Sequence, residues 1–150
     1  MALANTEPRA DRSLTAALAA IVGPRWVRSR HSERRTYEAD GLATHTSVPM
    51  LAVLPGNRAE VVAVVKLLAE RQVAWVARGA GTGLSGGALA NPDAVLIPLT
   101  RLNRILSIDP VRPRATIEPG VVNAKLSEAT SPLGLLYVPD PSSQTACTIG

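Results

Sequence analysis

The residues of this 150-residue chain best suited to chemistry are the run Arg78 to Gly87, RGAGTGLSGG. Five glycines in ten positions leave the backbone uncovered, so several N–H groups can converge on one anion with no side chain in the way. Glycine also admits the positive φ angles that turn successive amides towards one point. Thr82 and Ser85 add hydroxyl donors, Arg78 contributes positive charge, and the run contains no acid. A flexible surface turn would share the glycines. The place of this run directly behind an apolar segment, and its lack of carboxylates, favour a phosphate cradle.

Gly81-Thr82-Gly83-Leu84-Ser85-Gly86 formally matches the GxGxxG fingerprint of NAD-binding Rossmann folds, a weak match by itself. That fingerprint must open into a helix, whereas Gly86, Gly87, Asn91 and Pro92 break any helix before the next apolar run. The acid that would hold the ribose is missing from the end of that run, where Leu99 and Thr100 stand. No Gly-Lys-Ser/Thr follows, so the Walker pattern fails as well.

The surrounding elements are legible from periodicity. Met50 to Leu54 and Gln72 to Ala77 are short apolar runs suited to strands, with a helix from Asn57 to about Arg71 between them. Asn57 and Glu60 form a candidate capping box, and Val61, Val64, Val65 and Leu68 share the buried face. Strand, helix, strand is the unit that builds a parallel pair, and it feeds the glycine loop directly. Upstream, Ser13 to Val22 has helical spacing, a capping serine and a stop at Gly23-Pro24, and is expected on the outside of the domain. Residues 25–47 are polar and aperiodic and predict an extended connection. Downstream, Ala94 to Leu99, Ile105 to Asp109 and Arg114 to Glu118 are strand candidates, Val122 to Thr130 is a helix, and Pro139 to Ser143 is a loop. The pattern predicts an α+β fold with an α/β-type βαβ start.

Composition narrows the function classes. At 46% hydrophobic and 19% charged the chain is of ordinary globular make-up, and no apolar stretch reaches the roughly 20 residues that cross a bilayer. The net charge of +4 resides in the first 35 residues, where seven arginines face Glu7, Asp11 and Glu33. With aromatics at 3%, the interleaved stacking surface of a nucleic-acid binder is missing. The acids argue against a transit peptide and point to a solvated N-terminal helix, and no secretory pattern is present, so the expected location is the cytoplasm. Cys147 is the single cysteine and reads as a packed hydrophobe. His31 and His45 lack partners at metal-ligand spacing, so no metal site is expected. No catalytic residue is identified.

After Tyr37 the chain resembles the FAD-binding domain of the vanillyl-alcohol oxidase and p-cresol methylhydroxylase (PCMH) type and, within it, the large flavin subunits of bacterial glycolate oxidases. The marks are Tyr37-Glu38-Ala39-Asp40, RGAGTGLSGG, LTRLNRILSIDP from Leu99 to Pro110, IEPGV from Ile117 to Val121, and PDPSSQTACTIG from Pro139 to Gly150. Five ordered motifs are far more specific than one glycine loop. The resemblance implies the N-terminal part of a PCMH-type domain over residues 48–150, preceded by a helix and connection over 1–47. It assigns the FAD pyrophosphate to Gly79, Ala80, Gly81, Thr82, Gly83 and Leu84, with Arg78 and Gly86 flanking them. It makes Pro139, Asp140, Ser142, Ser143, Thr148 and Gly150 a second contact region, although residues alone would read it as an ordinary Pro/Ser loop. Gly120, a turn glycine by itself, would approach the cofactor. Thr82 stands where some relatives carry a histidine that bonds the flavin, which implies non-covalent FAD.

The activity implied is dehydrogenation of a small 2-hydroxy acid. A base takes the hydroxyl proton, hydride passes from the α-carbon to flavin N5, and cationic groups hold the carboxylate. Those substrate-side groups are expected beyond Gly150, because Thr148-Ile149-Gly150 stops inside a motif that the family continues with another glycine. The chain is expected to be an N-terminal fragment, inactive alone. Glycolate is the favoured substrate, with D-lactate and larger 2-hydroxy acids open, and companion flavin and iron–sulfur subunits follow by analogy. Two other readings stand beside this one: a stand-alone or remnant nucleotide-binding module without activity, and an NAD-binding Rossmann domain.

Overall fold

The computed structural model describes residues 12–150; the opening of the Arg-rich segment, residues 1–11, lies outside the described residues. The chain forms helices α1 (Arg12–Val22), α2 (His31–Arg34), α3 (Arg58–Glu70) and α4 (Asn123–Thr130), with strands β1 (Val27–Arg28), β2 (Leu51–Val53), β3 (Trp75–Arg78), β4 (Val95–Pro98), β5 (Ile105–Asp109) and β6 (Arg114–Ile117). β1 to β4 make one sheet in the order β1-β2-β4-β3, and β5 and β6 make a separate pair. β2, β4 and β3 are parallel and β1 is antiparallel to β2. The α+β class expected from the pattern is the class observed.

Alternation along the strands sorts two cores. Leu51 and Val53 of β2 with Val95 and Ile97 of β4 point to one face, where Leu14, Leu18 and Val22 of α1 and Val64 and Leu68 of α3 cover them. Ala52 and Leu96, on the opposite face, meet Ala90, Ala94, Tyr37 and Val76. The small side chains there let a loop lie close to the sheet, and the loop that does so follows β3.

The N-terminus of α3 is set by Asn57, whose Oδ1 accepts the Glu60 N–H at 2.9 Å. The Glu60 carboxylate accepts from Gly56 N at 2.6 Å and Asn57 Nδ2 at 2.8 Å, so the reciprocal bond reaches one residue further back than an ordinary capping box. Of the anticipated apolar face, Val64 and Leu68 are buried and Val61 and Val65 half-buried. α3 closes with Gln72 at φ 54 and a bond from Val73 N to Leu68 O of 2.9 Å, a Schellman-type ending. That ending uses Gln72 to Ala74, so β3 begins at Trp75 rather than at Gln72.

Three expectations change. The β-strands flanking α3 are parallel but do not pair, because β4 lies between them; a βαβ pattern fixes direction and leaves adjacency open. Ser13 does not cap α1, since the helix already includes Arg12, and its hydroxyl accepts from Arg71 Nη1 at 3.0 Å. The stretch 25–47 is more ordered than an extended connection: Val27 and Arg28 pair with Val53 and Ala52, and α2 follows. A two-residue strand and a one-turn helix are too short to print a period in the sequence.

The open end of the β5–β6 pair is closed by one carboxylate. Glu118, nearly buried, accepts from Arg104 N at 2.8 Å, Nη2 at 2.7 Å and Nε at 3.1 Å, while its own N–H donates to Arg104 O at 2.9 Å. The Arg104 side-chain bonds, then its backbone N–H, hold the Glu118 carboxyl below its ordinary value of 4.5. A carboxyl lowered in the folded state contributes stability that is present above the ordinary value and lost as pH falls through the folded one. Glu118→Gln is therefore expected to lower the urea midpoint at neutral pH, with the gap from the parent chain closing below about pH 4.5. A gap that stays constant down to the acid limit would mean the bridge is not what the substitution removes.

Candidate functional site

The glycine run leaves the C-terminal end of β3 and reaches β4, its parallel neighbour, through residues 79–94 without a helix. Such a crossover lacks the internal hydrogen bonds a helix would give, so its backbone must find other partners. Arg78 supplies one: buried at 9% exposure, its Nη1 donates to Ala88 O at 3.4 Å and, outside the crossover, to Tyr37 O at 3.2 Å. Its guanidinium lies directly beneath Gly81, where a Cβ would collide with it, and Gly81 sits at φ +77. Burial pushes the Arg78 pKa down, while Asp40 and Tyr37 push it back up.

Tyr37 to Gly41 form the outer wall of the loop. Asp40 Oδ2 accepts from Gly86 N at 2.9 Å and Oδ1 from Leu42 N at 2.9 Å. Gly41 N donates to Gly83 O at 2.9 Å, and a Cβ on Gly41 would stand 2.6 Å from Thr82 O and 3.0 Å from Gly83 O. Glycine is required here by close approach, not by φ. Beside this wall, Asp40, Leu42, His45, Leu84, Ser85 and Gly86 border an open depression of about 250 Å³.

The second segment meets the first at its root. Thr148 Oγ1 accepts from Ala80 N at 3.0 Å and donates to Gly150 O at 3.0 Å, and a Cβ on Gly79 would collide with both Gly150 O and Thr148 Oγ1. Residues 139–150 are carried on the start of α4: Asn123 Nδ2 donates to Pro139 O at 3.0 Å, Asn123 N to Cys147 O at 3.0 Å, and Ile149 N to Val121 O at 2.9 Å. Thr148 also pairs with Val122 as an isolated bridge. Of the expected residues, Gly79, Ala80, Thr148 and Gly150 are brought together. Pro139, Asp140 and Ser142 are exposed and Ser143 is half-buried. Gly120 is buried against the carbonyl oxygens of Leu99 and Leu102.

The loop has the attributes of an anion cradle. Among the described residues, the N–H groups of Gly81, Thr82, Gly83, Leu84 and Ser85 meet no protein acceptor. Beyond them, Gly83, Gly86 and Gly87 have open space where a Cβ would stand. Five adjacent donors with no carboxylate on the loop itself suit a pyrophosphate. Reading the sequence overlooked Asp40 and Gly41 as part of this machinery. The signal was present in the Tyr37-Glu38-Ala39-Asp40 motif, but nothing local ties a carboxylate to an amide 46 positions away.

A family profile described as FAD binding domain matches residues 49–150. The chain is 48% identical over 114 residues to the glycolate oxidase subunit GlcD of Escherichia coli K12, a match covering 76% of this chain and 23% of that protein. It is 39% identical over 102 residues to a D-lactate dehydrogenase of Anaerostipes hadrus, covering 68% of this chain and 21% of that one. The chain thus spans under a quarter of the length of these curated relatives. Among solved structures, an alkyldihydroxyacetonephosphate synthase superposes at a TM-score of 0.84 with 22% identity, over all of this chain and 30% of its own, which bears on the fold.

The wall-to-loop contact gives a direct test. Gly41→Ala is expected to force the segment away from Thr82 and Gly83 and to cost about 1–3 kcal/mol in urea unfolding. An unchanged unfolding midpoint would show that the wall does not bear on the loop.

Proposed function

Because the chain belongs to the FAD binding domain family, we propose that residues 78–87 hold the pyrophosphate of a non-covalently bound FAD as the cofactor-binding part of a 2-hydroxy-acid oxidoreductase. The observation that carries this reading is the row of five N–H groups from Gly81 to Ser85 that meet no acceptor among the described residues. Gly79, Ala80, Gly81, Thr82, Gly83, Leu84 and Gly86 form one side of the site, and Thr148 and Gly150 the root of the other. Pro139, Asp140, Ser142 and Ser143 extend that second side, and Gly120 supports it from behind. Hydride acceptance is the chemistry flavin supplies when bound. This chain's residues bind the phosphates and join the two segments where Ala80 N donates to Thr148 Oγ1.

Glycolate is the favoured substrate, supported by the 48% identity to a glycolate oxidase subunit. D-Lactate is the second reading, supported by the D-lactate dehydrogenase relative. The groups that take the hydroxyl proton and hold the substrate carboxylate are assigned to the part of the enzyme that this chain does not span. Companion flavin and iron–sulfur subunits are part of the proposal, resting on the relative being named a subunit. So is a cytoplasmic location, consistent with no described helix being long and apolar enough to cross a membrane. An NAD-binding Rossmann domain is disfavoured, because after the loop no helix occurs before β4.

Titrating the chain with FAD is expected to quench flavin fluorescence saturably, with NADH giving no saturable signal. Acid precipitation should then release all the flavin to the supernatant, as a non-covalent cofactor requires. Saturable NADH binding without FAD binding would overturn the proposal in favour of a dinucleotide site of the other type.

A further inference from the structure

The loop is built over a buried cation. Arg78 is the last residue of β3, and its guanidinium passes under the loop instead of over it, against the face of Gly81 that carries no side chain. One nitrogen donates to two carbonyls from different parts of the chain, Tyr37 ahead of the sheet and Ala88 at the far end of the loop. The Tyr37 ring also lies 5.9 Å from the guanidinium carbon. The opposing charge is Asp40, which takes Gly86 N and so closes the row of available amides at Ser85. A guanidinium stays charged in such surroundings, where an ammonium would shift its pKa readily.

We propose that Arg78 is a positioning residue for the phosphate cradle: from beneath Gly81 it ties the two ends of the loop together and lends its charge to an anion bound above, without touching that anion. This rests on the pyrophosphate reading of the loop. Two features support it. Arg78 is buried, at 9% exposure, so its charge reaches the loop through a less polar surrounding than a surface arginine's. The loop beyond Arg78 contributes dipoles and no formal charge, and the Arg78 guanidinium lies against it at Gly81. Loss of one unit charge at this range in a partly buried site weakens anion binding by roughly tenfold or more.

The test compares the parent chain, Arg78→Lys and Arg78→Met by FAD titration at low and high salt, with circular dichroism to confirm folding. The parent is expected to bind FAD less tightly as salt rises. Arg78→Met should bind about tenfold more weakly at low salt and lose most of that salt dependence. Arg78→Lys should keep the salt dependence while losing part of the affinity, because it retains the charge and not the planar fork. A methionine variant with parental affinity would overturn the proposal, and so would one weakened with an undiminished salt slope, since that is what a purely structural arginine gives. If the methionine variant does not fold, the lysine variant decides: a retained slope supports the role and a lost slope overturns it. Failure of the parent chain itself to saturate with FAD would sink the pyrophosphate reading, and this role with it; a binding parent beside an indifferent variant sinks the role of Arg78 alone.

Discussion

The structure depends on a parallel crossover made without a helix. β3 and β4 are neighbours and run the same way, so residues 79–94 must carry the chain from the end of one back to the start of the other. A helix would satisfy its own backbone on that journey; an irregular segment cannot. The chain therefore surrounds the crossover with acceptors and donors drawn from elsewhere. Arg78 takes the Ala88 carbonyl, Asp40 takes the Gly86 N–H, Ser47 Oγ donates to Ala90 O at 2.7 Å, and Thr148 takes the Ala80 N–H. In the row from Gly81 to Ser85 the N–H groups meet no acceptor among the described residues, and they are the part with chemistry to offer.

The same crossover explains the composition of the sheet beneath it. Its returning limb brings Ala90 and Ala94 against Ala52 and Leu96, and larger side chains at those alanines would lift the loop. The helical face has no such constraint and carries the leucines and valines of the main core. At the C-terminal end of β2, Arg101 lies 3.7 Å from the Trp26 ring centroid and donates to Leu54 O at 2.6 Å. That arginine ties the segment following β4 to the turn before α3. Gly56 faces its guanidinium so closely that a Cβ would overlap it.

What the amino-acid sequence made legible follows from the range of each interaction. Elements with several periods, such as α3 and α1, and turns with strong residue preferences could be read directly, as could the glycine run and the missing helix after it. The family followed from five motifs in order, and the match over residues 49–150 bears that out. The position of β4 between β2 and β3 was not legible, because strand order is decided by packing between segments far apart in the chain. Nor was the role of Asp40 and Gly41, which depends on a meeting with Gly83 and Gly86 that no local pattern encodes. Arg78 was legible as a charge beside a phosphate loop; that it lies beneath the loop depends on Gly81 having no side chain.

The two sides of the candidate site are joined by a closed circuit of backbone contacts, and Gly120 is its narrowest link. Leu99 N donates to Arg78 O at 2.8 Å, Gly120 N to Leu102 O at 2.7 Å, and Gly150 N to Pro119 O at 2.9 Å. Gly150 then returns to Gly79, where the first side begins. A Cβ on Gly120 would stand 2.5 Å from Leu99 O and 2.7 Å from Leu102 O, so any side chain there would open the circuit at the segment after β4. The second side has no sheet of its own, since residues 139–150 lean on α4 and on this circuit. The two sides are thus joined through packing at a buried glycine, with the Arg104–Glu118 bridge two residues before it. Both lie outside the glycine run.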